Sequence, residues 1–131
     1  MVPNGKHSHV TPQLEDLFSF LRLPSISTDS RHAGDVRACA EWLLAKLGGM
    51  GLTTELHETP KHPVVIARNA HVPGRRTVLI YGHYDVQPVD PLELWTTRPF
   101  EPRITDGVVF ARGSTDNKGQ IFAHILGIEE A

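Results

Sequence analysis

Several things are scarce in this chain, and each scarcity excludes something. Cys39 is the only cysteine, so no intrachain disulfide and no thiolate zinc site can form. No apolar run approaches the length of about 20 residues that spans a bilayer. The beginning of the chain holds Pro3, Lys6, His7, His9, Glu15 and Asp16 and lacks the apolar core of a secretory signal. Basic clusters are missing too: none exceeds the pair Arg75-Arg76, and the formal charge is −2, which argues against nucleic acid as a partner. A cytoplasmic protein that engages neither membrane nor nucleic acid is the expectation. What is present is 131 residues, 40% of them hydrophobic, enough for one small domain, with the unusual count of eight histidines.

Residues 1–10 read as a loose leader. The stretch TPQLEDLFSFLRLPSIS then opens a helix: Thr11 can cap, Pro12 suits the first turn, and Leu14, Leu17, Phe18 and Leu21 recur at helical spacing before Pro24. A second helix is predicted from about Ala33 to Leu47, with Val36, Cys39, Ala40, Leu43 and Leu47 as its apolar stripe and Gly48-Gly49 at its end. Cys39 and Trp42 are assigned to packing. LTTELHE and PVVIARNA read as strands joined by a turn around Pro60 to His62. RTVLIYG is apolar on successive residues, the pattern of a strand covered on both faces. Asp106-Gly107 between β-branched pairs predicts a tight hairpin. NKGQIFAHILGIEEA reads as a last helix, with Ile121, Ile125 and Ile128 on one face and its stripe still running at Ala131. The expected class is α/β, a sheet with helices on both faces, truncated.

The chemistry gathers where the predicted strand ends. In extended chain, residues two apart point the same way, so His83 and Asp85 share a face at the carboxyl end of TVLIY. Ligand sites of open α/β sheets lie at such strand ends. An imidazole with a carboxylate behind it suits a metal, since the carboxylate fixes the ring and raises its basicity. The same pair can also be simply solvated at a loop start. A second acidic stretch, ARGSTDNKG, places Asp116 just before a helix, with Gly113 and Gly119 permitting close backbone approach. It is not a phosphate-binding loop, because Lys118-Gly119 stands in the reverse of the order that motif requires.

GHYDVQP followed by WTTRPFEPRITDGVVFARGSTDNKGQ resembles the dinuclear zinc hydrolases grouped as metallopeptidase family twenty. That family takes in cytosolic and carnosine-type dipeptidases, glutamate-releasing carboxypeptidases, aminoacylase, and acetylornithine and succinyl-diaminopimelate deacylases. LPSIST and DVRACAEWLLAKLGGMGL resemble its opening helices, so the likeness covers about residues 12–131. The resemblance implies a zinc-exopeptidase-type catalytic domain in which His83 ligates one zinc ion, Asp85 is the catalytic carboxylate orienting it, and Asp116 bridges two zinc ions, with cobalt or manganese as alternatives. A shared carboxylate would screen the repulsion of two cations about 3.5–4 Å apart. It also implies a cis peptide at Asp116-Asn117, where asparagine replaces a frequent second aspartate and keeps its size without its charge.

In the family the general-base glutamate and the remaining ligands follow the last helix, so residues 11–131 correspond to the amino-terminal part of the catalytic domain. The lid or dimerisation domain and the carboxy-terminal half are outside it. Glu129-Glu130 belong to the helix itself and are not the catalytic pair; His124 is a helix-face residue, and His57, His62 and His71 have no metal spacing. Three readings follow. The complete protein hydrolyses a peptide or amide bond in a small substrate, with GHYDVQP favouring a dipeptidase and a homodimer possible, while this chain alone is inactive. It is an N-acyl amino acid deacylase. Or the chain is a non-catalytic domain or remnant that acts, if at all, by packing on a partner.

Overall fold

The computed structural model describes residues 10–131. The expected leader therefore lies outside the described residues, except for Val10. Helix α1 spans Pro12–Leu21 and starts as its sequence dictates: Thr11 Oγ1 accepts from the Leu14 N–H at 3.2 Å, and Pro12 occupies the first turn. It stops before Pro24 and buries Phe18, Phe20 and Leu21. Helix α2 spans Ala33–Gly49, entered through a short 3-10 turn at Ser30–His32 that Asp29 caps. It runs through the predicted end at Leu47 to Gly49 and buries Val36, Cys39, Ala40 and Leu43.

Strands β1 (Thr53–His57) and β2 (Val64–Arg68) form an antiparallel hairpin, Thr53 opposite Arg68 and His57 opposite Val64. A second hairpin pairs β3 (Arg103–Thr105) with β4 (Val108–Phe110). Its turn is Asp106-Gly107, both with positive φ, 51° and 78°, the mirror-image turn that Asp-Gly favours. Helix α3 closes the order at Lys118–Glu130 and buries Lys118, Phe122 and Ile125; Ile128, placed by periodicity on the same face as Ile125, is exposed.

All three helices meet in one core. Phe20 from α1, Cys39 and Leu43 from α2, and Phe122 and Ile125 from α3 pack together, with Val65 of β2 against them. Trp42 stacks on Phe20 at 4.6 Å between ring centroids, and its indole N–H donates to Ser19 Oγ, so both residues assigned to packing do pack. The opposite side of α1, through Phe18 and Leu21, packs on Ala111, Ile104 and Val109. Each such fully buried Phe or Leu contributes roughly 1.5–3 kcal/mol.

One element differs from expectation. Thr77–Tyr81 is not a strand, and the α/β architecture consists of two separate two-stranded hairpins rather than one sheet sandwiched by helices. Val78, Leu79 and Tyr81 stand 79%, 91% and 83% exposed. The reason is that a strand needs ladder partners for its N–H and C=O groups, and none pairs with this segment among the described residues. No helix of the described residues is long and apolar enough to cross a membrane.

Candidate metal centre

The three residues picked from the sequence come together. His83 Nδ1 lies 3.0 Å from Asp85 Oδ1 and 3.3 Å from the Asp85 carbonyl oxygen. Both are acceptors, so Nδ1 carries the proton and donates. On the other side of the ring, Nε2 lies 3.0 Å from Asp116 Oδ1. His83 thus stands between two carboxylates, although the residues leading into it are not a paired strand.

Local chemistry fixes this arrangement. Gly82 brings the backbone against the start of α3: a Cβ there would fall 2.6 Å from Ile121 Cγ1 and 3.0 Å from Asn117 Oδ1. Asn117 sits at the helix N-cap, yet its side chain does not cap. Its Oδ1 instead accepts the His83 backbone N–H at 3.2 Å, which ties the two motifs together. The Asp116–Asn117 peptide is cis, as the resemblance implied. Gly119 permits the tight approach of loop to helix, since a Cβ would lie 2.0 Å from the Ser114 carbonyl oxygen. From the other flank, Val86 N–H donates to Ser25 O at 2.9 Å, and Ile26 bridges Val86 in parallel fashion.

The electrostatics favour a positive charge here. Partial burial works against the imidazolium, but hydrogen bonds to Asp85 and the charges of Asp85 and Asp116 outweigh it and hold the His83 pKa above its ordinary value. Asp116 is exposed. Donor chemistry and spacing fit a divalent ion. Two donors of one tetrahedral ion, each about 2.0–2.2 Å from it, stand about 3.3–3.6 Å apart, so the 3.0 Å between Nε2 and Oδ1 needs to open by only a few tenths of an ångström. Among the described residues no three or more His, Cys, Asp or Glu side chains are arranged to hold one metal ion: Asp85 is turned to the His83 ring, which leaves His83 and Asp116 as two donors.

The other candidates stay apart, as expected. Glu129 pairs with Lys46 at 3.2 Å, His57 with Glu55 at 2.9 Å, and His124 and His71 are exposed. Two contacts were missed by sequence reasoning. Ser27 Oγ donates to Asp85 Oδ2 at 2.5 Å, and His62 Nε2 reaches the Ser27 carbonyl oxygen at 2.9 Å. Ser27 and Asp85 stand 58 positions apart, so no local pattern signals that pairing.

Residues 79–131, which contain all three candidates, match the model of peptidase family M20/M25/M40. The chain belongs to that peptidase family. It is 31% identical over 118 residues to the Cys-Gly metallodipeptidase dug1 of Schizosaccharomyces pombe, covering 82% of this chain and 25% of that protein. It is 34% identical over 121 residues to the succinyl-diaminopimelate desuccinylase of Verminephrobacter eiseniae, covering 82% of this chain and 29% of that enzyme. The solved structure of human carnosine dipeptidase 1 superimposes with a TM-score of 0.84 at 27% identity, covering 89% of this chain and 27% of that one. The M20/M25/M40 chain described here thus spans about a quarter of the length of these relatives.

Proposed function

We propose that residues 11–131 are the amino-terminal part of the catalytic domain of a metal-dependent hydrolase that cleaves a peptide or amide bond in a small substrate, most simply a dipeptide. In this reading His83 and Asp116 hold a pair of divalent ions, zinc first, with Asp116 shared between them. The observation that carries it is His83 set between two carboxylates, Nδ1 on Asp85 and Nε2 at 3.0 Å from Asp116. A bound divalent ion there supplies Lewis acidity toward the scissile carbonyl and toward water.

The chain's own residues prepare that chemistry. Asp85 accepts from Nδ1–H and so directs the lone pair of Nε2 toward the ion. Asn117 fixes the His83 backbone, and the Asp116–Asn117 step presents the Asp116 carboxylate at the start of α3. The metallodipeptidase and carnosine dipeptidase relatives support a dipeptide substrate. An N-acyl amino acid is the second reading, supported by the desuccinylase. Cytoplasmic placement and a homodimeric complete protein belong to the same proposal.

The test is metal content and turnover in the complete protein. Two zinc ions per chain are expected, with Asp116→Ala losing the pair and Asp85→Ala costing about 10–100-fold in metal affinity or rate. A single bound ion, or an Asp116→Ala variant that retains two, would overturn the shared carboxylate. Panels of dipeptides and N-acyl amino acids decide between the two substrate classes. The 131-residue chain alone is expected to turn over neither above a metal-only blank.

A further inference from the structure

The Asp85 carboxylate has two oxygens, and the His83 ring occupies only one. Oδ2 accepts from Ser27 Oγ at 2.5 Å, a contact between side chains that are both partly buried. Ser27 is itself held. The loop after α1 runs alongside Tyr84–Val86: Ser25, fully buried, donates from its hydroxyl to Tyr84 O at 2.6 Å and accepts Val86 N–H on its carbonyl. Ile26 bridges Val86 in parallel, and Ser27, one position past the bridge, reaches back across it to Asp85, one position before it. The far side of Ser27 is closed by His62. A carbonyl only accepts, so His62 presents Nε2–H to it.

We propose that Ser27 is a positioning residue of the metal centre, its hydroxyl locking the Asp85 carboxylate so that Oδ1 faces His83 Nδ1–H. This rests on the metal-site reading above. A carboxylate bonded through one oxygen only is free to rotate about its Cβ–Cγ bond and exchange its oxygens. Bonded through both, it holds one orientation, and the proton of the neutral imidazole stays on Nδ1. Nε2 then keeps its lone pair for a divalent cation. Ser27 touches neither substrate nor metal; it acts through Asp85 and then through His83. His62 sets the loop backbone, so Ser27 arrives at the carboxylate from one direction.

Nitrogen-15 spectra of the histidine rings test this in the 131-residue chain, first metal-free at alkaline pH and then titrated with zinc, with His83→Gln assigning the His83 signals. Wild type is expected to favour the Nδ1–H tautomer, because Nδ1 faces two acceptors, Asp85 Oδ1 and the Asp85 carbonyl oxygen, and Nε2 faces one, Asp116 Oδ1. Ser27→Ala is expected to mix the tautomers and weaken zinc binding by about tenfold, the lower end for lost supporting contacts. Ser27→Thr, which keeps the hydroxyl, is expected to restore both, with unchanged far-ultraviolet circular dichroism in all three. A Ser27→Ala spectrum and zinc titration like wild type would overturn the proposal, as would Ser27→Thr behaving like Ser27→Ala. If Ser27→Ala mixes the tautomers while the complete protein proves to hold no divalent ion, the positioning role stands and the metal-site reading falls.

Discussion

Asp29 shows how one residue prepares the chain just beyond the site loop. Its carboxylate accepts from the Arg31 backbone N–H at 3.0 Å, capping the 3-10 turn into α2, and from the Arg31 guanidinium at 2.7 Å. The Arg31 side-chain hydrogen bond, joined by the backbone one, holds its pKa down from 3.8 to about 2. A carboxylate whose folded pKa is depressed stabilises the fold above its unfolded value, and that contribution is lost as pH falls through the folded one. Asp29 is therefore expected to lend its support above pH 3.8 and to lose it toward about 2. Carbon-13 titration of the Asp29 carboxylate checks this. Arg31→Ala should move the midpoint back up, and a wild-type midpoint already at 3.8 would dissolve the pairing. Solvent screens the pair, so global stability should scarcely register the change.

At the scale of elements, Lys118 joins the site to the helical core. Its side chain is completely buried, its ammonium donates to Phe20 O at 2.9 Å and Leu23 O at 2.7 Å, and it lies 5.0 Å from the centre of the Phe20 ring. Those carbonyls lie at and just past the end of α1, where helical acceptors lack partners, so the first residue of α3 caps the last turn of α1. Burial lowers the Lys118 pKa, which records the cost of holding the charge there. Lys118→Met keeps the length and orphans the Phe20 carbonyl, while Leu23 O keeps the Ser25 N–H at 2.9 Å; a loss of about 1–3 kcal/mol is expected in urea unfolding. Lys118→Ala adds a cavity and should lose more. A Met variant more stable than wild type would mean that burying the charge costs more than the capping returns. None of this was legible in NKGQ, because the acceptors lie 95 and 98 residues away. By contrast α1, α2 and the Asp106-Gly107 hairpin were legible, since their caps, stripes and turn residues act within a few positions. The site divides the same way: His83 and Asp85 could be paired from their spacing, Asp116 only through the family resemblance, and Ser27 by neither route.

Over the whole molecule, the segment Val78–Tyr81 marks where local pattern and structure part. Its apolar residues face both ways, which suits a strand flanked by other strands and covered on both faces. Among the described residues it has neither flank nor cover, and it leads directly into Gly82 and His83. An unpaired apolar segment carries free backbone donors and acceptors as well as exposed side chains, and these are what another chain can pair with. The 131-residue chain on its own is therefore expected to self-associate as its concentration rises, which sedimentation velocity would detect as a growing fast-moving species. Leu79→Lys places a charge at the most exposed of these positions and should suppress the association, as charged gatekeepers do on natural sheet edges. The Leu79 side chain is solvent-exposed and the Lys replacing it meets water, so the His83 ring signals should be unchanged. A concentration-independent monomer for wild type would mean that the segment is already satisfied in solution. In that case the residues preceding His83 pack rather than stand exposed, and Leu79→Lys should lower stability instead of relieving association.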